Sequence, residues 1–171
     1  MNLFGRTYVQ SKRLNLDHNG TGFEIFFDGS YLNMTVVCSS ITNYFRLYVD
    51  GVEIEQLLAV SKNGVYSLAS NLSSGVEHCV SIYKCSSTAA GRIQIKDLDT
   101  DQHFLKPHNV RDLNIEYIGD SITCGAGVAG VPSDTPTFEN SDTSKGYAFL
   151  NALDMNANPS IVATEGMCVK A

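Results

Sequence analysis

From residue 1 to about residue 106 the apolar residues fall in runs too short for helices, each stopped by a turn signal, and no stretch carries a helical period. Gly22 to Asp28 (GFEIFFD) has the aromatic and β-branched content of a strand and stops at Asp28-Gly29. Tyr31 to Cys38 follows, with Leu32, Met34 and Val36 on one face. Tyr44–Val49 and Val52–Ile54 flank Asp50-Gly51, a pair that tolerates the positive φ of a two-residue hairpin. Asn63-Gly64 reads as another such turn ahead of Val65–Leu68, and Val76–Tyr83 and Arg92–Leu98 complete the set. Evenly spaced strands with no helix among them predict an antiparallel β-sandwich, a jelly roll.

The pattern then changes kind. Residues 97–111 (DLDTDQHFLKPHNVR) are polar, carry Pro107 and have no period, as a linker does. Leu113 to Ile118 is a short apolar run that reads as a buried strand, and it ends in Gly119-Asp120-Ser121. An irregular stretch with Pro132 and Pro136 precedes a helix expected from Thr143 or Ser144, carrying Tyr147, Ala148, Leu150 and Leu153. Asn156-Ala-Asn-Pro159 should close that helix, and Ile161 to Thr164 reads as a second buried strand. Strand, turn, helix, strand is one right-handed βαβ unit with two parallel strands. The expected division is therefore a sandwich over residues 1–108 and the start of an α/β domain over 109–171. Two strands and one helix cannot cover both faces of a sheet, so this second part looks cut short. Its open edge and an apolar face around Ile115, Ile161 and Val162 should favour self-association or local disorder.

Composition narrows the partners. A net charge of −6 with scattered basic residues, none in a run longer than Lys12-Arg13, argues against a nucleic-acid surface. No segment approaches the roughly 18 apolar residues of a membrane span, and the opening MNLFGRTY lacks the apolar core of a secretory signal. The five cysteines, Cys38, Cys79, Cys85, Cys124 and Cys168, have no metal-binding spacing, and free thiols are expected, with Cys124 packed beneath the turn at Ser121. Gly125-Ala-Gly127-Val-Ala-Gly130 is a formal G-x-G-x-x-G, but it begins seven residues past the strand and Pro132 and Pro136 interrupt any helix there, so no dinucleotide site is expected.

Chemistry concentrates at the end of the first α/β strand, where ligands gather in open parallel sheets. Ser121 can be an exposed nucleophile or the N-cap of a following helix. Its own amide can supply one donor to an oxyanion, and the two strands end at the same sheet edge, which brings Gly166 beside it. Gly166 is either a turn glycine or a second oxyanion donor, and Asp120 is either a turn former or a carboxylate bracing the loop that holds Ser121. No base is recognisable: His18, His78, His103 and His108 all precede Ser121, and the two in the linker read as exposed.

The string IEYIGDSITCGAG resembles the nucleophile block of SGNH (GDSL-type) hydrolases and is similar to the variant found in two-domain acetyl esterases of carbohydrate esterase family 2. The opening FGRTYVQ…GTGFEIFFDGSYL…YFRLYVDG resembles the β-sandwich that precedes the catalytic domain there. The resemblance implies a flavodoxin-like SGNH domain and a serine esterase that removes acetyl groups from carbohydrate. It makes Ser121 the nucleophile, the amides of Ser121 and Gly166 the oxyanion donors, and requires no cofactor or metal. It also implies secretion. Glu165 stands where the family often has serine, and the family's Asp-x-x-His and its asparagine oxyanion donor have no counterpart in these residues. The alternative is a fragment or accessory sandwich that binds carbohydrate without catalysis, for which Tyr8, Tyr31, Tyr44, Tyr48, Tyr66 and Tyr83 are candidate stacking residues.

Overall fold

The structure, a computed structural model, describes residues 1–39, 41–108 and 111–167. The expected boundary at 108/109 abuts residues 109–110, and Cys168 likewise lies outside the described residues. A six-stranded sheet orders β1 (Asn2–Phe4), β4 (Gly22–Phe27), β10 (His78–Lys84), β6 (Asn43–Val49) and β7 (Val52–Glu53), with β8 (Leu58–Val60) also on β6. A five-stranded sheet orders β2 (Tyr8–Gln10), β3 (Arg13–Asn15), β11 (Ile93–Asp99), β5 (Leu32–Cys38) and β9 (Gly64–Ala69). Every pairing in both sheets is antiparallel. Alternate residues of each strand meet between the sheets: Phe23, Ile25 and Phe27 of β4, Val80 and Ile82 of β10, and Phe45 and Leu47 of β6 pack toward Leu32, Met34 and Val36 of β5 and Ile93 and Ile95 of β11. Each such side chain contributes about 1.5–3 kcal/mol by leaving water, and this is the main core.

Asp50 and Gly51 take φ of 51° and 79°, closing the expected hairpin with Val49 opposite Val52. Asn63-Gly64 does not close one. β8 pairs with β6 while β9 pairs with β5, so the chain crosses between sheets there, and Asn63 instead accepts the Cys38 amide at 3.0 Å through its side chain. The linker is shorter than expected, because β11 runs through Asp99. Its remainder is fastened to the first sheet by a Phe27–Phe104 bridge and by the Leu105 amide donating to Phe26.

The α/β part comprises β12 (Leu113–Gly119), α1 (Tyr147–Asp154) and β13 (Ala157–Ala163), with β12 and β13 parallel from Leu113↔Ala157 to Gly119↔Ala163. Asp142, rather than Thr143 or Ser144, caps the helical region: its Oδ1 accepts the Ser144 amide at 3.0 Å ahead of a 3₁₀ turn at Thr143–Lys145, and α1 begins only at Tyr147. Pro159 lies inside β13 instead of ending a helix before it, which is tolerated because among the described residues β13 has one hydrogen-bonded neighbour. β12 is largely exposed rather than buried, since among the described residues only β13 flanks it. Ile161, expected on an open face, is 1% exposed because it packs on Gly20 of the sandwich; the exposed apolar residues on and just after β12 are instead Leu113, Ile118 and Ile122.

The two parts share a second core. Phe4 stacks on Tyr83 at 5.1 Å between ring centroids, and Tyr83 meets Phe149 of α1 edge-on at 4.8 Å. The outer face of the first sheet thus carries α1 as a helix layer.

Candidate functional site at the C-terminal end of the parallel strands

β12 ends in Gly119 because only a glycine fits there: an added Cβ would lie 2.1 Å from the Thr123 hydroxyl. That close approach sends the chain directly into a turn. The exposed Asp120 carboxylate accepts the Ile122 amide at 3.0 Å through Oδ1, while its carbonyl accepts the Cys124 amide at 3.1 Å. Ser121 is half-exposed between them, and its carbonyl accepts the Ala126 amide at 2.9 Å and the Cys124 thiol at 3.3 Å. The Ser121 hydroxyl makes no hydrogen bond among the described residues. Cys124 is buried beneath the turn, and burial pushes its thiol up, away from the reactive thiolate.

Gly166 is exposed in a turn where the Met167 amide donates to the Thr164 carbonyl at 3.2 Å, with φ of 76°, a conformation suited to glycine. Since Gly119 lies opposite Ala163, the turns bearing Ser121 and Gly166 leave the sheet side by side. Three of the histidine rings are engaged elsewhere. His78 contacts Asp50 at 2.8 Å, His103 lies 3.6 Å from Asp28, and His108 lies 3.2 Å from Glu77. His18 accepts from Thr21 only through its backbone carbonyl, and its buried Nδ1 has no hydrogen-bond partner among the described residues. The Cys38, Cys79, Cys85 and Cys124 thiols are free, and among the described residues no His, Cys, Asp and Glu cluster could hold a metal ion.

What holds the Ser121 turn against the sandwich was not apparent from sequence. Arg46 of β6 and Asp142 form an ion pair of 2.6 Å with side chains 2% and 1% exposed. Arg46 also donates to Ser144 Oγ at 3.3 Å and to the carbonyls of Ile54 and Glu55 at 3.1 and 2.9 Å, and pairs with the half-exposed Glu53 at 3.0 Å. Next to Asp142, the Thr143 hydroxyl shares its one proton between the carbonyls of Cys85, in the sandwich, and Cys124, in the turn, at 2.9 and 2.7 Å. The Asp142 amide donates to the Gly125 carbonyl at 3.2 Å, and Ser141 Oγ accepts the Gly127 amide at 3.1 Å. Burial would raise the Asp142 carboxyl, but hydrogen bonds from Ser144, the Cys85 thiol and Arg46, with the Arg46 charge, hold it below the ordinary aspartate value. The one sequence signal for this network was a lone arginine inside the aromatic strand Tyr44-Phe-Arg46-Leu-Tyr48.

These elements define a two-part chain, a jelly-roll sandwich whose outer sheet face carries a βαβ unit with a serine turn at its C-terminal strand edge. Residues 3–107 match the family described as Carbohydrate esterase 2 N-terminal, and the chain belongs to carbohydrate esterase family 2. It is 30% identical over 153 residues to the cellulase/esterase CelE of Acetivibrio thermocellus, an alignment covering 87% of this chain and 18% of that protein. Among solved structures it is similar to a family two carbohydrate esterase from Clostridium thermocellum in complex with cellohexaose (25% identity, TM-score 0.89, 96% of this chain and 51% of that one). It is also similar to an acetyl xylan esterase from the rumen bacterium Butyrivibrio proteoclasticus (26% identity, TM-score 0.82, 96% and 46%). The chain spans about half the length of these solved relatives.

Proposed function

We propose that this chain is the sandwich and the nucleophile-bearing opening of a serine esterase that removes O-acetyl groups from carbohydrate. The observation that carries the reading is the half-exposed Ser121, held on a tight turn at the C-terminal strand edge beside the Gly166 turn, in a member of carbohydrate esterase family 2. Ser121 Oγ attacks the acetyl carbonyl carbon and gives its proton to a base. The amides of Ser121 and Gly166 donate to the oxyanion of the tetrahedral intermediate, which collapses as the sugar oxygen leaves with a proton. Water then cleaves the acetyl-serine ester to acetate. Asp120 acts only indirectly, by bracing the turn through the Ile122 amide. The base is assigned to the part of such esterases that this chain does not span: the rings of His78, His103 and His108 face carboxylates of the sandwich, and His18 makes no hydrogen bond to Ser121 among the described residues.

The test is to read the source gene past the Ala171 codon and treat the encoded protein with a serine-directed fluorophosphonate. Labelling that Ser121→Ala abolishes, with acetate release from acetylated xylan, is the expected result. An encoded protein whose Ser121 stays inert would overturn the esterase reading and leave a non-catalytic carbohydrate-binding role.

A further inference from the structure

The outer face of the first sheet is only partly covered by α1. Beyond the helix, Glu24 and Phe26 of β4, Ser81 of β10 and Tyr48 of β6 floor a cavity of about 480 Å³, with Arg111 and Leu153 among its walls. The register puts Glu24, Ser81 and Tyr48 in one row across three strands, because Ser81 lies opposite both of the others. A second cleft of about 400 Å³ shares Glu24 and Arg111 and is also lined by three amide side chains, Asn2, Asn114 and Asn158, and by Asp112. The two spaces thus lie on either side of one carboxylate and one guanidinium, one lined by aromatic rings and the other more polar. We propose that this seam between sandwich and βαβ unit is a carbohydrate-binding pocket separate from the Ser121 site, taking a neutral pyranose.

The location separates it from the serine. Arg111 precedes the N-terminal end of β12, whereas Ser121 follows its C-terminal end, and the seven-residue strand between them spans about 20 Å. The chemistry selects the ligand. Glu24, 4% exposed, already accepts from Asn2 Nδ2 at 3.1 Å and from Ser81 Oγ at 3.0 Å, which fixes it as a preorganised acceptor. Arg111 offers a buried Nη1 that finds no partner among the described residues. An anion would face Glu24 and a cation would face Arg111, while a purely apolar ligand would strip water from both without replacing its hydrogen bonds. A neutral ring with hydroxyls that both donate and accept satisfies the pair, and its C–H face suits the rings of Tyr48 and Phe26. The volume lies in the range of small-ligand pockets, and such pockets favour junctions between structural units.

The reading is independent of Ser121 and is tested without catalysis. The full chain, labelled with ¹⁵N, is titrated with cellobiose, and separately with glucuronate as the anionic counterpart. Expected are saturable amide shifts at Cys79, Ser81, Gly51 and Leu153 with a Kd on the order of 1 mM. Arg111→Met and Tyr48→Leu should each weaken binding by about tenfold. Leu153→Trp, which fills the cavity and removes no polar group, should abolish it while the rest of the spectrum keeps its folded dispersion. Ser121→Ala should leave the titration unchanged. Absence of saturable shifts, shifts that follow Ser121 instead, tighter binding of glucuronate, or unaltered binding in Leu153→Trp would each overturn the proposal.

Discussion

Removing Asp142 should be among the most damaging single changes in the protein. Asp142→Ala leaves the Arg46 guanidinium buried with its carbonyl acceptors and the half-exposed Glu53, but without the carboxylate at 2.6 Å. Breaking a buried pair by deleting one partner costs about 3–5 kcal/mol, and the surviving Glu53 contact argues for the lower end. About 3 kcal/mol corresponds to a fall of roughly 6–12 °C in Tm for a chain of this size. Urea denaturation of wild type, Asp142→Ala, Arg46→Met and the double variant forms a cycle, in which the double variant should be less destabilised than the sum by about 2 kcal/mol. The pH dependence adds a second reading. A carboxyl whose folded pKa is depressed contributes stability that is complete above its unfolded value near 3.9 and is lost as pH falls through the folded value. The gap between wild type and Asp142→Ala should therefore be flat at neutral pH and narrow only below about pH 4. Strict additivity in the cycle, or a gap that narrows near neutrality, would refute the account of this pair.

Three further outcomes follow from individual contacts. Gly119→Ala puts a Cβ 2.1 Å from the Thr123 hydroxyl and should cost about 1–3 kcal/mol in urea denaturation, with amide shifts concentrated over residues 120–126; an unchanged midpoint would contradict the close packing. Thr143→Val keeps the volume but deprives the Cys85 and Cys124 carbonyls of their hydroxyl donor, for a loss of about 1–3 kcal/mol that Thr143→Ser should restore. Lys84 is buried with Nζ donating to the carbonyls of Asp17, Ser86 and Ser87, and desolvation lowers its pKa to about 8, so between that value and the ordinary lysine value the unfolded chain binds more protons and stability gains with rising pH. Against Lys84→Met, wild type should gain up to about 1.4 kcal/mol per pH unit through that window; parallel curves would refute it.

Where periodicity was strong, the sequence disclosed the fold. The inward set Leu32-Met34-Val36 belongs to a strand that buries that face in the core, Gly22–Phe27 is the strand its composition indicated, and Asp50-Gly51 adopts the backbone its residues favour. Shorter elements were hidden. β1, β2 and β3 have three residues each, too few for a period; β1 and β3 are strands because longer neighbours pair with them, and β2 because it pairs in turn with β3. Asn63-Gly64 carries hairpin chemistry, yet whether the flanking strands pair with each other is a tertiary matter that two residues do not encode. Leu113–Ile118 was legible as a strand, but its exposure depends on neighbours rather than on its own composition. At the site, Gly119-Asp120-Ser121 was readable because the turn is local. Arg46 and Asp142 lie 96 positions apart, and neither has a neighbour in sequence that identifies the other.

The seam explains why the βαβ unit can be ordered at all. An eight-residue helix is below the length at which helices persist in water, and a two-stranded sheet has too little buried surface to stand alone. The missing burial comes from the sandwich: Tyr83 covers Phe149, and Gly20 receives Ile161 so closely that a Cβ there would lie 3.2 Å from its Cδ1. Arg46 and the Cys85 carbonyl then fix the segment from Asp142 to Ser144, which in turn holds the Cys124 and Gly125 carbonyls behind Ser121. The position of the serine turn is therefore set by residues of the sandwich as much as by its own strand. A sandwich in this arrangement is a structural half of the candidate site, because displacing Arg46 or Cys85 moves the peptide groups on which Ser121 rests.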